Sequence, residues 1–235
     1  MLVTTVAIAG VAWYFSRRNT SMREVDVDAL EYPVRGLDLS AHNGNIDFDL
    51  LARDSIDFVM LKATEGTTFK DPKFHFNYME ARRAGIKAVG AYHFFRFDTD
   101  GEMQAINFLN SIRGKTLDMP VVIDLEEWTN PKQLDTEEIV GRIKTMIKIL
   151  ERNDFNVMFY TNKDGYRRFI QNRFDDYPLW ICSFTNPPLD KNDGKWVIWQ
   201  YTHWGWSEAC TTNVDINTFN GSREEWLTWL RLSTF

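Results

Sequence analysis

The sequence predicts a closed α/β barrel with an irregular final third, on three observations. Eight short apolar segments recur from residue 34, helical periodicity fills the gaps between the earlier ones, and polar residues gather where the segments end. At 235 residues the chain suits one large domain, since α/β barrels commonly run past 200 residues as a single unit.

The strand candidates are "VRGLDLS" (34–40), "FVMLKAT" (58–64), "AVGAYHFF" (88–95) and "MPVVIDLE" (119–126). "NVMFYTN" (156–162), "PLWICSF" (178–184), "WVIWQYT" (196–202) and "VDINTF" (214–219) continue the series. Residues 72–84 read as a helix, with Pro72 suited to the first turn and Gly85 to the stop. Residues 101–113 and 135–151 carry apolar residues at three- and four-residue spacing, the latter as Ile139, Ile143, Met146, Ile147 and Leu150. The last three strands have only short connections. An open doubly wound sheet is the alternative, but no Gly-rich phosphate loop supports a nucleotide site.

The first 32 residues stand apart. "LVTTVAIAGVAWYF" (2–15) is uncharged and apolar, short of the roughly 20 residues a spanning helix needs. Ala7-Ile8-Ala9 resembles a cleavage region, yet no basic residue precedes the run, and Arg17 and Arg18 follow it. A start further upstream would supply the missing charge and length. Residues 1–16 are therefore expected to target or anchor the chain to a membrane, 17–32 to form a linker, and 33–235 the barrel. That puts the barrel in the cell envelope, anchored or secreted.

With 44% hydrophobic residues the core is substantial, and a net charge of −6 without a basic stripe argues against nucleic acid. Two cysteines, Cys182 and Cys210, exclude a disulfide scaffold; two free thiols is the plainer reading, with one disulfide left open.

"VVIDLEEW" (121–128) carries the sharpest signal. Alternation along a strand puts Asp124 and Glu126 on one face, about 7 Å apart, and Glu127 on the other. Such a pair needs either a cation or a chemical use. At the other strand ends stand Asp38, Lys62, Thr64, Tyr92, His93, Tyr160, Trp180, Gln200, Asp215 and Asn217. Polar groups at strand ends are where barrel enzymes build active sites. Closure would bring Asp38, Asp124, Glu126 and Asp215 to one mouth, where their titrations can be driven apart.

The motifs resemble a known family. "GLDLSAHNGNIDF" is similar to the opening of the glycoside hydrolase family 25 lysozymes, and "LKATEGTTFKDPKF", "GAYHFFRFDTDGEMQAINFL", "VVIDLEEW", "LWICSF", "WQYT" and "VDINTF" follow in the family's order. The resemblance spans residues 34–221 and looks most like versions from Bacteroides-type bacteria. It implies an irregular TIM-like (β/α)5β3 barrel and hydrolysis of the β-1,4 bond between N-acetylmuramic acid and N-acetylglucosamine in peptidoglycan. Glu126 would be the acid and later the base. Asp124 would orient the substrate's acetamido group as internal nucleophile, a recognised exception to the two-carboxylate scheme. Asp38 and Asp215 would support them electrostatically, though a nucleophile role for Asp38 stays open. Tyr92, Tyr160, Trp180, His93 and Gln200 would contact substrate. No cofactor or metal is implied, and a monomer is expected. Two departures concern loops: Asn43 stands where Gln is usual, and "WGWSEACTTN" is less glycine-rich. Both bear on sugar preference more than on chemistry.

Two other classes compete. A non-catalytic glycan-binding barrel would keep the cleft without turnover, which intact Asp124 and Glu126 argue against. A metal-dependent hydrolase would use the acids with His42 and His93, but a metalloenzyme spacing such as His-Glu-x-x-His is missing. A buried ion network of Asp124 and Glu126 with Lys62 is the structural alternative. Trp128, Trp180, Trp199 and Trp204 are the tryptophans that suit sugar stacking.

Overall fold

The computed structural model describes residues 25–189 and 194–233. The apolar run at 2–15 and the start of the expected linker lie outside that range. Among the described residues no helix is long and apolar enough to cross a membrane.

Nine strands form one sheet: β1 (Arg35–Leu39), β2 (Phe58–Glu65), β3 (Phe69–Lys70), β4 (Ala88–Phe94), β5 (Val121–Asp124), β6 (Val157–Asn162), β7 (Leu179–Cys182), β8 (Ile198–Gly205) and β9 (Val214–Phe219). The order β1-β9-β8-β7-β6-β5-β4-β2-β3 closes on itself because β1 also pairs with β2. Eight strands make the barrel, and β3 is a short hairpin arm on β2. All barrel pairings are parallel except those of β9, which runs antiparallel to β8 and to β1. The irregular final third is therefore a strand of reversed direction, reached through a hairpin too short to hold a helix.

Alternation divides each strand between two cores. Phe58, Met60, Ala88, Val122, Met158, Trp180, Ile198 and Phe219 fill the lumen. Their neighbours Val59, Leu61, Val89, Ile123, Phe159, Ile181 and Trp199 face the helices. Gly36 belongs to the lumen set, and a Cβ there would lie 2.3 Å from the Phe58 ring.

The longer helices among the described residues are α1 (Phe48–Arg53), α2 (Phe74–Arg83), α3 (Gly101–Ile112), α4 (Thr136–Glu151) and α5 (Arg223–Ser233), and short helical turns follow β1 and β6. Aspartates start three of them: Asp47, Asp100 and Asp135 each accept amide hydrogen bonds from the first turn. α4 buries Ile139, Ile143, Met146, Ile147 and Leu150, the stripe its spacing predicted.

α1 and α5 were not read from the sequence. For α5 the signal was present: Ser222 and Glu225 make a reciprocal capping box, through Ser222 N to Glu225 Oε2 at 2.7 Å and Glu225 N to Ser222 Oγ at 3.2 Å. Its Trp226 packs against Phe58, tilted, and Phe219, edge-on, with ring centroids 5.1 and 5.2 Å away, plugging the floor of the barrel. Beside it the buried Asp57 accepts from Lys87 at 2.7 Å and Arg223 at 2.8 Å, tying α5 to β1, β2 and β4.

Three side chains of residues 25–32 touch the barrel. Val25 and Val27 lie partly buried against the core. Tyr32 is only 9% exposed, 5.9 Å by ring centroid from both Trp196 and Trp199. An aromatic ring buried to this degree is worth about 2–3 kcal/mol. A chain beginning at residue 33 should therefore melt about 5–10 °C below one beginning at residue 25. Equal melting temperatures would show that this segment contributes nothing.

Candidate active site

Register sets which side chains meet. Asp38 on β1 pairs across with Asp215 on β9. Asp124 on β5 lies level with Phe94 on β4 and Tyr160 on β6, and Tyr160 lies level with Trp180 on β7. Asp215 sits at the start of its strand, not the end, and reaches the same mouth because β9 is reversed. All four acids line one open cleft of about 880 Å³.

β5 ends at Asp124, two residues sooner than its apolar pattern suggested, yet the alternation carries on for one step. Leu125 stays fully buried, its amide bonded to the Tyr160 carbonyl and its carbonyl to the Thr161 hydroxyl. Glu126 then turns into the cleft. Asn130 fixes that turn: its side chain bonds the Glu126 and Phe95 carbonyls and the Phe97 amide at 2.8–2.9 Å. Thr129, a β-branched residue, is held there at φ +59, a conformation that persists only where the surroundings impose it. Glu127, expected to face away, lines the cleft too, but an ion pair with Arg168 holds its carboxylate.

The acids differ in surroundings. Burial and the neighbouring Glu126 push Asp124 well above the usual carboxylate range, against a lesser pull from Lys62. Its Oδ1 is buried without a hydrogen-bond partner. Asp38 is also raised, by burial and by Asp215, although its Oδ2 accepts from Gln200 Nε2 and Asn217 Nδ2 at 2.8 Å. Burial raises Glu126 and Asp215 adds to the rise, while His203 and Lys62 oppose it. Lys62 pairs with Glu65 at 2.8 Å and lies 4.9 Å over the Phe94 ring, so its ion pair is with Glu65 and not with Asp124 or Glu126.

Among the expected substrate contacts, Tyr92, Tyr160 and Trp180 line the cleft. Trp180 meets both tyrosines edge to face, with centroids 6.3 Å from Tyr92 and 4.4 Å from Tyr160. Burial drives both phenols well above their ordinary range, so they stay neutral hydrogen-bond donors. Gln200 stands one layer behind, 1% exposed, accepting from the Tyr160 hydroxyl at 2.7 Å and donating to Asp38. It positions residues that line the cleft.

His93 is a correction. It is fully buried between β4 and α3, with Nδ1 2.7 Å from the Thr64 hydroxyl and Nε2 3.0 Å from Gln104 Oε1. Gln104 Oε1 also accepts from the Arg96 amide, so the imidazole donates through Nε2 and accepts at Nδ1. Burial pushes it down to about 4 and keeps it neutral. Both nitrogens are engaged within the fold, whereas His42 lines the cleft. Trp199 is likewise core, its indole donating to the Ser183 carbonyl. Trp128, 77% exposed, stands at the cleft rim.

The sequence gives no sign of a role for Asn130 or His203, and places Asn217 at a strand end without a partner. Asn217 accepts from the Trp180 indole at 2.8 Å and so holds that ring and Asp38 together. His203 lines the cleft with Nδ1 3.0 Å from Asp215 Oδ1. It stands at the flank of "WGWSEACTTN", the stretch already set apart as unusual. Cys182 and Cys210 are both free thiols.

Comparison with known proteins agrees with this arrangement. A family 25 glycosyl hydrolase from Bacillus anthracis superposes with a TM-score of 0.80 at 30% identity, over 89% of this chain and 99% of that one. Lysozyme M1 of Streptomyces globisporus is 30% identical over 80% of this chain and 68% of its own length. The YegX protein of Escherichia coli K12 is 29% identical over 94% of this chain and 82% of its own. The family model "Glycosyl hydrolases family 25" matches residues 37–208. A match over that share of the chain, with the closed barrel and its acidic mouth, establishes that this protein belongs to the family 25 glycosyl hydrolases.

Proposed function

We propose that the chain is a lysozyme, hydrolysing the β-1,4 bond between N-acetylmuramic acid and N-acetylglucosamine in peptidoglycan. The observation that carries this reading is the contrast within one cleft between Asp124, buried with an unpartnered Oδ1, and Glu126, half-buried at its wall. A buried acceptor left without a donor fits an N–H brought by the substrate.

Glu126, whose affinity for its proton burial increases, gives that proton to the leaving glycosidic oxygen. Asp124 Oδ1 accepts from the acetamido N–H of the bound sugar and turns the acetamido oxygen toward the anomeric carbon. That oxygen forms the new bond as the glycosidic bond breaks, giving a cyclic oxazolinium. Glu126, now a carboxylate, takes a proton from water as the water attacks the same carbon. Two inversions give net retention, as in other substrate-assisted hydrolases. The exposed Trp128 at the rim offers a face for a sugar ring. Envelope location through the apolar segment at 2–15, and action as a single copy, complete the proposal.

Mass analysis of ends released from peptidoglycan tests the bond: reducing-end N-acetylmuramic acid is expected, and reducing-end N-acetylglucosamine would indicate a different cleavage. Proton NMR of the first product should show the β anomer; an initial α anomer would replace internal attack by direct attack of water.

Glu126→Gln should lower kcat roughly 10²–10⁴-fold while glycan binding persists, because the amide cannot deliver a proton. Parental turnover in this variant would show that Glu126 is not the proton donor.

Asp124→Asn should also be severely impaired, yet gain stability at neutral pH. The folded-state affinity of Asp124 for its proton is raised above the unfolded value. Its contribution is therefore complete below about pH 4 and is lost as pH rises through the folded value. Asparagine removes that loss, so the melting curves should coincide near pH 4 and the variant should melt higher at pH 7. A variant that melts lower at pH 7 would show that the ionised carboxylate is well compensated.

A further inference from the structure

We propose that His203 is a positioning residue: its imidazole clamps the Asp215 carboxylate at the cleft mouth, beside the gathered acids. The inference rests on the hydrolase reading, with Glu126 as the acid.

The geometry begins in β8. Its register against β9 shifts between Gln200 and Thr202 and again before Gly205, so His203 leaves the regular ladder. The ring meets Phe184 edge to face, 4.7 Å between centroids at 74°, which fixes its plane. Nδ1 lies 3.0 Å from Asp215 Oδ1, and a carboxylate can only accept, so Nδ1 carries hydrogen. Nε2 faces the Cys182 sulfur at 3.9 Å.

The titratable groups facing the ring are thus Asp215 from β9, Cys182 from β7 and Glu126 from the turn after β5. Burial pushes the Cys182 thiol upward, which leaves it neutral. The two carboxyls favour the imidazolium, and the Asp215 hydrogen bond outweighs the burial that opposes it. In return the imidazolium favours the carboxylate form of Glu126. Asp215 in turn faces Asp38, whose proton it helps retain. His203 therefore sits at the end of a chain of acids and biases the charge state of those beyond it. A merely structural histidine would fill space there without doing so.

The test compares His203→Ala and His203→Asn in the full chain. Asparagine places an amide N–H near the former Nδ1 but has no charge. Alanine should lose about 10- to 100-fold in kcat with little change in KM, the scale of one hydrogen bond to a charged group. Asparagine should recover most of that loss. In both variants the alkaline limb of kcat/KM should move to higher pH, because Glu126 has lost a cation that favours its ionisation. A limb that stays in place in both variants would overturn the proposal. A second readout needs no turnover: the C2 proton of His203, followed by NMR, should titrate above the ordinary imidazole range and fall toward it in Asp215→Asn. An unchanged midpoint would also overturn it. If the parent leaves peptidoglycan intact, the hydrolase reading fails and this titration alone decides the His203–Asp215 pairing.

Discussion

Antiparallel closure by β9 is the constraint on which the site depends. A parallel β9 would have required a long crossover connection and would have put Asp215 at the far end of the barrel from Asp38. Reversal places the two carboxyls side by side across the β1–β9 ladder. It also puts Asn217 within 2.8 Å of Asp38 and level with Gln200, so one strand supplies an acid and the amide that organises its neighbour. Plugging of the opposite end by Trp226 lets the lumen be apolar below and polar above, with Met60 and Met158 giving way to Lys62 and Tyr160 two residues later.

Gathering acids in this way is unfavourable to the folded state and useful to the reaction. Desolvation and mutual repulsion raise Asp38, Asp124 and Glu126 together. The relief is partial and unevenly placed: amide donors reach Asp38, Lys62 and His203 act on Glu126, and Asp124 Oδ1 has no donor. That unevenness gives these three carboxyls of like chemistry different surroundings, which a cleft needs if one must donate a proton near neutral pH.

A second layer holds the first. His93 and Gln104 knit β4 to the segment at 96–104, and Asn130 ties the Glu126 turn to the end of β4. Arg168 steadies the same loop by bonding Glu127, Thr136 and the Leu134 carbonyl. Each of these polar groups is buried or half-buried and has its partners, so the loop carrying Glu126 is fixed by several independent bonds.

The strand series, the α4 stripe and the acids at the strand ends were legible in the sequence, because periodicity and capping are local and leave their mark within a few residues. Asp124 and Glu126 could be paired from "VVIDLEEW" alone, and the resemblance of the ordered motifs carried the family. What the sequence could not decide was direction and depth. Whether β9 runs parallel or reversed, whether His93 faces the cleft or α3, and whether Gln200 touches a sugar or a neighbour all depend on partners 11 to 179 residues away. His203 was invisible for the same reason: a histidine in a hairpin has no meaning until the strand beside it presents Asp215. Local pattern determined which residues were able to act; the closed sheet decided which of them meet.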